Sequence, residues 1–290
     1  MSEKVPKKEA LMARKRICFV PAALAACGLV FIGICPLPGV LNAQGQTAAS
    51  TAALERVLVT ITHVKPEMVP DYQAAVSAEG IPALKKAGVP WRHTYRTGPF
   101  GDFGVFVAVQ PVTGMAQFDQ PGAIPRMLGE PAATRYAART RSMIVSQKQI
   151  LQTFQPALSI RSNIAEPAKL IVVEDVQLYS GKGQAFAELT SSKIVPALNK
   201  AGVKDFWVYN TTWGGPAGSR TLVEPIESYA ALEAPLALLQ RLEGIIGTEA
   251  AQRISAERSA LVEHAERTVL RLVPELTFTT QPTGKRTSTR

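Results

Sequence analysis

The spacing of hydrophobic and polar residues along this 290-residue chain switches repeatedly between strand-like alternation and helical periodicity, and each switch marks the start of a predicted element. Residues 56–64 form a β-branched run that ends at a Lys-Pro pair, which predicts a strand. Residues 67–86 carry apolar side chains at helical spacing and are followed by Gly88, which predicts a helix with a glycine C-cap. Pro82 lies inside this pattern and should bend or divide the helix.

The same alternation of periods continues through the first half of the chain and then returns in the second. After the first helix, the first half has two strands joined by a glycine-rich turn, a helical region broken by prolines, and a last strand. The strands are predicted at 91–97, 103–109 and 142–154. The second half is predicted to have strands at 169–178, 204–212, 220–224 and 266–273 and helices at 183–200 and 248–263. Each half therefore has the order β-α-β-β-α-β.

An internal repeat accounts for this agreement. The stretch IPALKKAGV at 81–89 returns as VPALNKAGV at 195–203, an offset of 114 residues that also aligns Tyr72 with Phe186. Near the end of each half the offset grows to 118 residues, which allows for a few inserted residues. Such self-similarity indicates one structural unit present twice.

The order β-α-β-β-α-β is that of a ferredoxin-like sandwich, whose sheet has helices on one face only. The other face needs a cover, and a second copy supplies it. We therefore predict an α+β fold in which two tandem ferredoxin-like repeats, at 56–159 and 168–278, form an internal pseudo-dimeric α/β barrel. Residues 160–167 are predicted to be the linker between them.

Several of these motifs resemble the dimeric α/β-barrel superfamily, especially its NIPSNAP-like members. The resemblance rests on the strand end Val64-Lys65-Pro66, the IPALKKAGV helix end, and the paired exits Pro156-Ala157-Leu158-Ser159 and Pro274-Glu275-Leu276-Thr277. It covers about 56–159 and 168–278, and its motifs are structural. The resemblance implies the α/β-barrel fold. Because the superfamily includes cofactor-independent monooxygenases, haem-degrading and haem-binding enzymes and proteins of unknown role, it leaves the activity open.

The N-terminal residues have the pattern of an export signal, with basic residues in 1–16 and a nearly uninterrupted apolar run at 17–41. We interpret 1–43 as a signal peptide cleaved after Ala43, followed by a linker at 44–55, which predicts a periplasmic or extracellular protein. The run is also long enough to remain as an inner-membrane anchor. A third interpretation is a lipoprotein box at 24–27, but apolar residues continue past its cysteine.

Charge and cysteine content narrow the choice of partners. Of the net charge of +9, residues 1–43 carry +4 and the predicted disordered tail at 279–290 carries +3, so the body is nearly neutral. A body with so little charge is not expected to bind nucleic acid. All three cysteines lie in the leader, so the body can form no disulfide and no thiolate site. Membrane contact is expected only through 17–41, if that segment is not cleaved.

Strand alternation predicts the candidate binding residues. It places Trp91, His93 and Tyr95 on one face of a strand, and the offset of 114 maps them onto Asp205, Trp207 and Tyr209. If this face lines the barrel, these side chains form a cavity suited to a small apolar or aromatic ligand. The alternative is that they are ordinary sheet aromatics.

Two acidic residues, Glu174 and Asp175, interrupt an otherwise apolar strand. Because neighbours on a strand point to opposite faces, at most one of them can enter the barrel, where it would be a candidate acid or base. Glu174 is included with the ligand-cavity candidates. The alternative is an edge strand with both carboxylates in solvent.

Metal and cofactor chemistry has little support in the sequence. The three histidines, His63, His93 and His264, do not match between the repeats, and no His-x-x-x-His or Glu-x-x-His spacing occurs. We therefore expect no zinc or di-iron site and no cofactor. His93 as a haem ligand is a weaker alternative to a structural histidine.

These observations lead to one functional hypothesis and its competitors. The leading hypothesis is an exported small-molecule-binding barrel, with cofactor-independent monooxygenase-like chemistry as its enzymatic form. The competing hypothesis is a non-enzymatic interaction module of the cell envelope, and haem binding is the weaker alternative. The sequence assigns no catalytic residue, and a homo-oligomer is compatible with it.

Overall fold

The computed structural model describes residues 55–162, 166–233 and 238–280, without the side chains of 238–241. All of these residues belong to one compact unit, Ser50–Arg290. The predicted leader and nearly all of the predicted linker at 44–55 and tail at 279–290 lie outside the described residues. Within the described ranges, no helix has the length and hydrophobicity needed to cross a membrane.

The first half follows the predicted order, with four strands and two helical regions. Its elements are β1 (Arg56–Val64), α1 (Val69–Ala75), α2 (Ile81–Lys86), β2 (Trp91–Thr97), β3 (Val105–Val112), α3 (Ala123–Leu128), α4 (Glu130–Met143) and β4 (Ile144–Phe154). Short 3-10 turns precede α1 and follow β3 and β4. The ends of the strands differ from the predicted ends by at most three residues.

The second half follows the same order with one additional helix. Its elements are β5 (Leu170–Leu178), α5 (Gly183–Leu189), α6 (Val195–Lys200), β6 (Trp207–Trp213), β7 (Ser219–Ile226), α7 (Leu238–Ile246), α8 (Thr248–Ser259), β8 (Val262–Leu272) and β9 (Phe278–Thr279). Helix α7 was not predicted from the sequence. The predicted helix at 248–263 is shorter in the structure, because β8 already begins at Val262.

Eight antiparallel strands close into a barrel. Their order is β3-β1-β4-β6-β7-β5-β8-β2, and β2 pairs with β3 to complete the circle. The halves join where Phe154 of β4 pairs with Tyr209 of β6, and where Tyr95 of β2 pairs with Leu272 of β8. Closure leaves these strands without a free edge. The predicted α/β barrel is confirmed at this level.

The pairing register of the first half recurs in the second. Ile61 of β1 pairs with Val107 of β3, and at an offset of 114 residues Asp175 of β5 pairs with Thr221 of β7. The β1–β4 and β5–β8 pairs also correspond, with an offset of 118 residues for β4 and β8. The inward-facing positions of the two halves can therefore be compared one by one.

Helices cover the outer face of the barrel, and strand alternation separates this face from the lumen. In the second half, Val176 and Leu178 of β5 pack with Phe186 of α5 in one buried cluster. The intervening positions of β5 point the other way, and Ile171 and Val173 join a separate cluster in the lumen. The structure thus decides which sheet face lines the barrel.

Proline explains an irregularity that occurs once in each half. Helices α1 and α2 are joined by a π turn at Val76–Gly80, and α5 and α6 by a π turn at Thr190–Ile194. Pro82 and Pro196 follow directly, each as the second residue of the next helix. Proline lacks a backbone N–H and its ring crowds the preceding turn, and a widened turn accommodates both effects. The predicted bend is therefore a π turn within a continuing helix.

Candidate functional site

The aromatic side chains predicted to form a site face the lumen. Tyr95, Trp207 and Tyr209 belong to the lumen cluster and pack against aliphatic residues. Trp91 and His93 lie on the same face of β2 as Tyr95, and their ring centroids are 4.6 Å apart. The structure therefore brings these five predicted residues to one side of the sheet.

Burial controls the protonation of these groups. It lowers the pKa of the His93 imidazole to about 4, so this side chain is neutral at pH 7. Burial also raises the pKa of the Tyr209 phenol to about 12 and raises that of Tyr95, with a further rise from the neighbouring Tyr209. Tyr95 is 4% exposed and the Phe154 ring lies 5.4 Å from that of Tyr209. This part of the lumen therefore resembles a hydrophobic core.

A polar chain crosses the lumen and connects the two halves. Gln152 Nε2 donates a hydrogen bond to Thr221 Oγ1 at 2.8 Å, and Thr221 Oγ1 donates to Asp175 Oδ1 at 2.6 Å. Asp175 is accessible from the lumen yet largely surrounded by protein, and this environment raises the pKa of its carboxyl. The Thr221 hydrogen bond opposes the rise and the nearby Glu266 adds to it.

Glu174 does not lie with the lumen residues. It precedes the inward-facing Asp175 on β5, so alternation turns it to the outer face beneath the helices. There its Oε2 lies 3.1 Å from Arg258 Nη2, and its Oε1 lies 3.1 Å from Arg267 Nη2. Glu174 is therefore an ion-pair residue of the outer face, and Asp175 is the carboxylate that enters the lumen.

A cavity of about 280 Å³ lies on this outer face, between the second-half sheet and helices α5 and α6. Its helical wall consists of four side chains spaced four residues apart, Phe186, Thr190, Ile194 and Leu198. Each is at most 2% exposed. An α-helix has 3.6 residues per turn, so a spacing of four drifts around its surface. The π turn at Thr190–Ile194 contains more residues than an α-helical turn, and this compensates for the drift and keeps the four side chains on one face.

The sheet supplies the opposite wall and the charged groups. Val172 and Glu174 face the cavity from β5, together with Phe206, which precedes β6. Glu174 and Arg258 are mostly shielded from solvent, with side chains 14% and 17% exposed. Glu224 also lines the cavity and has an interaction of its own. The site is therefore apolar over most of its surface, with a few convergent charges, as is usual for small-molecule sites.

The first half of the chain covers the mouth of this cavity. Phe100, at the tip of the β2–β3 hairpin, lines the cavity and is 56% exposed, with its ring centroid 6.5 Å from that of Tyr229. The hairpin is held by a hydrogen bond from the Gly98 amide to the Val269 carbonyl. Tyr229 packs closely on Gly98, because a Cβ at that position would lie 2.3 Å from the Tyr229 hydroxyl and would displace it. The site thus combines residues of both halves.

The equivalent space in the first half is filled by side chains. Arg92 stands where the second half has Phe206, and its Nη1 donates to Gln110 Oε1 at 2.8 Å. Tyr136 replaces Ile254, and its hydroxyl reaches so close to Gly80 that a Cβ there would be 2.7 Å away. Burial lowers the pKa of Arg92 and raises that of Tyr136 to about 12. The two halves therefore differ at these corresponding positions.

Sequence reasoning missed this cavity because it considered only the lumen. The offset nevertheless contains a signal, since outward-facing positions that hold Thr60 and Thr140 in the first half hold Glu174 and Arg258 in the second. A charge pair that appears in one repeat only, beneath a helix, marks a local specialisation. Trp213, at the end of β6, is 67% exposed and does not line the cavity, whereas Phe100 of the β2–β3 hairpin does.

Haem does not fit this cavity. None of the side chains that line it is a histidine, cysteine, methionine or tyrosine, the usual axial ligands of haem iron. His93 faces the packed lumen instead. Among the described residues, no group of three His, Cys, Asp or Glu side chains could hold a metal ion. The haem alternative at His93 stays a hypothesis about the lumen and does not extend to this cavity.

Comparisons with known proteins establish the fold class. An anthrone oxidase-like protein superimposes with a TM-score of 0.53 and 13% identity, covering 80% of this chain and 95% of that one. A candidate monooxygenase from Fusobacterium nucleatum superimposes with a TM-score of 0.50 and 12% identity, covering 76% of this chain and 93% of that one. No protein-family profile and no curated protein matches the sequence.

At these identities the likeness concerns the fold alone. This chain shares the mixed architecture of these structures, an α/β barrel of eight antiparallel strands with outer helices. The resemblance of its sequence motifs to NIPSNAP-like proteins stays a prediction.

Proposed function

We propose that the protein binds a small, largely apolar organic molecule in the second-half cavity between the sheet and helices α5 and α6. One observation carries the proposal. An unfilled space of about 280 Å³ with mostly apolar walls adjoins a shielded ion pair. Protein interiors are normally filled to crystal-like density, so such a space with convergent polar groups is typical of a ligand site.

A matched pair of substitutions tests this proposal. Leu198 and Leu84 occupy equivalent helix positions, but only Leu198 lines the cavity. We expect Leu198→Phe to reduce the cavity and abolish binding of a neutral bicyclic probe, 2-naphthalenemethanol, measured by fluorescence titration. Leu84→Phe should leave binding unchanged although it overpacks a comparable core. Equal binding by both variants would refute the proposed location.

If the protein is an enzyme, the reaction that we propose for this cavity is oxidation of the bound molecule by O₂ without a cofactor. It is supported by the descriptions of two fold neighbours, one as an anthrone oxidase-like protein and one as a candidate monooxygenase. Anthrone is therefore a suitable test compound, since anthrone and O₂ give anthraquinone and water. Oxygen uptake with anthrone should exceed the spontaneous rate with the wild type and return to it with Leu198→Phe. Uptake that is unaffected by the substitution would leave binding as the function.

We further propose that the barrel is an internal pseudo-dimer of two ferredoxin-like repeats and that the protein acts outside the cytoplasm. The repeat proposal is supported by the recurring register, and the export proposal by the basic and apolar pattern of 1–41. N-terminal sequencing of protein from a cell-envelope fraction tests export, with Gln44 as the expected first residue. Native mass spectrometry of the same sample reports homo-oligomers and any retained ligand.

A further inference from the structure

Resting on the proposed function, we infer that the ligand of the second-half cavity carries an anionic oxygen, such as a carboxylate on a ring, and that Arg258 binds it. The inference assigns a chemical class to the ligand and a role to one residue. Arg258 lies in the last turn of α8 and lines the cavity beneath the outer face of β5.

The first argument is an unpaired donor. Arg258 Nε is buried and has no hydrogen-bond partner among the described residues, and Nη2, although 3.1 Å from Glu174 Oε2, makes no well-directed hydrogen bond. A guanidinium group has five N–H donors in a fixed planar arrangement that matches a carboxylate. A buried donor without an acceptor is unfavourable, and a ligand oxygen would relieve this.

The Arg258 guanidinium is the more shielded of the two that contact Glu174. Its side chain is 17% exposed, against 45% for that of Arg267. A cation next to apolar walls attracts an anion more strongly than it would in water, because the local dielectric constant is lower.

Two other polar groups of the cavity are already engaged. The Thr190 hydroxyl donates to the Phe186 carbonyl at 2.7 Å. Arg267 also carries donors, but its side chain is 45% exposed and its Nε donates to Glu174. Arg258 is therefore the more shielded of the two cations that line the cavity.

The first half provides a contrast to this arrangement. Arg92 also has a buried Nε without a partner among the described residues, but its Nη1 donates to Gln110. Burial lowers the pKa of Arg92, and the nearby Tyr72 and Tyr136 phenols oppose this decrease, so the guanidinium has polar groups of the protein around it. Position 140, equivalent to Arg258, holds a threonine. Anion recognition is thus a property of the second half.

The test compares two probes of the same shape and different charge, 2-naphthoate and 2-naphthalenemethanol, by fluorescence titration of the purified protein at pH 7. The wild type should bind the naphthoate more tightly. Arg258→Gln should weaken naphthoate binding roughly 10- to 100-fold, as expected for a lost charge-assisted hydrogen bond, and leave alcohol binding within about 3-fold. Arg267→Gln is the control for charge alone and should weaken naphthoate binding less than about 5-fold.

The outcomes separate this inference from the proposed function. Alcohol binding that is lost in Leu198→Phe, with no preference for naphthoate in the wild type, would overturn anion recognition and leave the binding site in place. Binding of neither probe would overturn both. If Arg258→Gln fails to show a cooperative unfolding curve, Arg258→Lys replaces it, because lysine retains the charge and removes Nε. An undiminished affinity of that variant for naphthoate would refute the role of the Nε donor.

Discussion

Replacing Glu174 by glutamine should destabilise the second half by about 2–3 kcal/mol. The change keeps the shape of the side chain but removes the charge that neutralises Arg258 and Arg267. Glu174 and Arg258 are only 14% and 17% exposed. Removing one partner of a fully buried pair costs about 3–5 kcal/mol, and residual hydration and the retained amide oxygen reduce this figure. The Arg267 contact, 45% exposed on the arginine side, adds at most about 1 kcal/mol.

Urea unfolding followed by circular dichroism at pH 7 measures this effect, and it should appear in thermal unfolding as a decrease of about 5–10 °C. The control is Glu249→Gln on α8, the helix that carries Arg258, since Glu249 pairs with Arg253 and their side chains are 87% and 63% exposed. That change should cost less than about 0.5 kcal/mol. Replacing both Glu174 and Arg258 by leucine should recover most of the loss. Equal effects of the two glutamine variants would refute the assigned burial of the pair.

Three further predictions concern protonation and backbone conformation. The pKa of His93 is about 4 in the folded protein against about 6.5 in the unfolded chain, so the free energy of unfolding decreases as the pH falls from about 6.5 to 4. In His93→Asn this decrease should be smaller by about 2–3 kcal/mol, measured by urea unfolding at a series of pH values. The raised pKa of Asp175 makes its carboxylate unfavourable at neutral pH, so Asp175→Asn should be more stable than wild type at pH 7, with the difference shrinking as pH falls towards about 4; an unchanged difference would contradict this. Gly104 and Gly88 both have φ of 79°, but only at Gly104 would a Cβ meet the backbone, 2.7 Å from the Val64 carbonyl oxygen. Gly104→Ala should therefore cost about 2–4 kcal/mol and Gly88→Ala about 1 kcal/mol, measured by thermal unfolding.

The two halves illustrate how one fold can be used in two ways. In the second half, aliphatic and aromatic residues around Phe206 leave a space beneath the helices, while in the first half Arg92 and Tyr136 occupy it. The π turns occur in both halves because Pro82 and Pro196 are at equivalent positions. The difference between the halves therefore arises from side chains on a shared backbone. This is why matched substitutions in the two halves are informative controls.

The order of elements was accessible from the sequence because it depends on local patterns, and the barrel was inferred from the repetition of that order. Strand and helix periods are set by the alternation of side chains along each segment, and the stretch at 81–89 that returns at 195–203 reveals the repeat. The grouping of Trp91, His93 and Tyr95 on one face also followed from alternation, since a strand turns every second residue to the same face. Only the structure decided that this face lines the lumen. Helix α7 was missed, and its side chains at 238–241 are not described.

The cavity was decided only by tertiary structure. Alternation shows that Glu174 and Asp175 point to opposite faces of β5. Which face meets the helices depends on how the strands close into the barrel, and the closed barrel has Asp175 in the lumen. Likewise, Phe100 reaches the second-half cavity only because β2 pairs with β8 across the barrel. Contacts between residues more than 100 positions apart leave no periodic trace in the sequence. Local periodicity therefore determined the scaffold, and long-range packing determined the site.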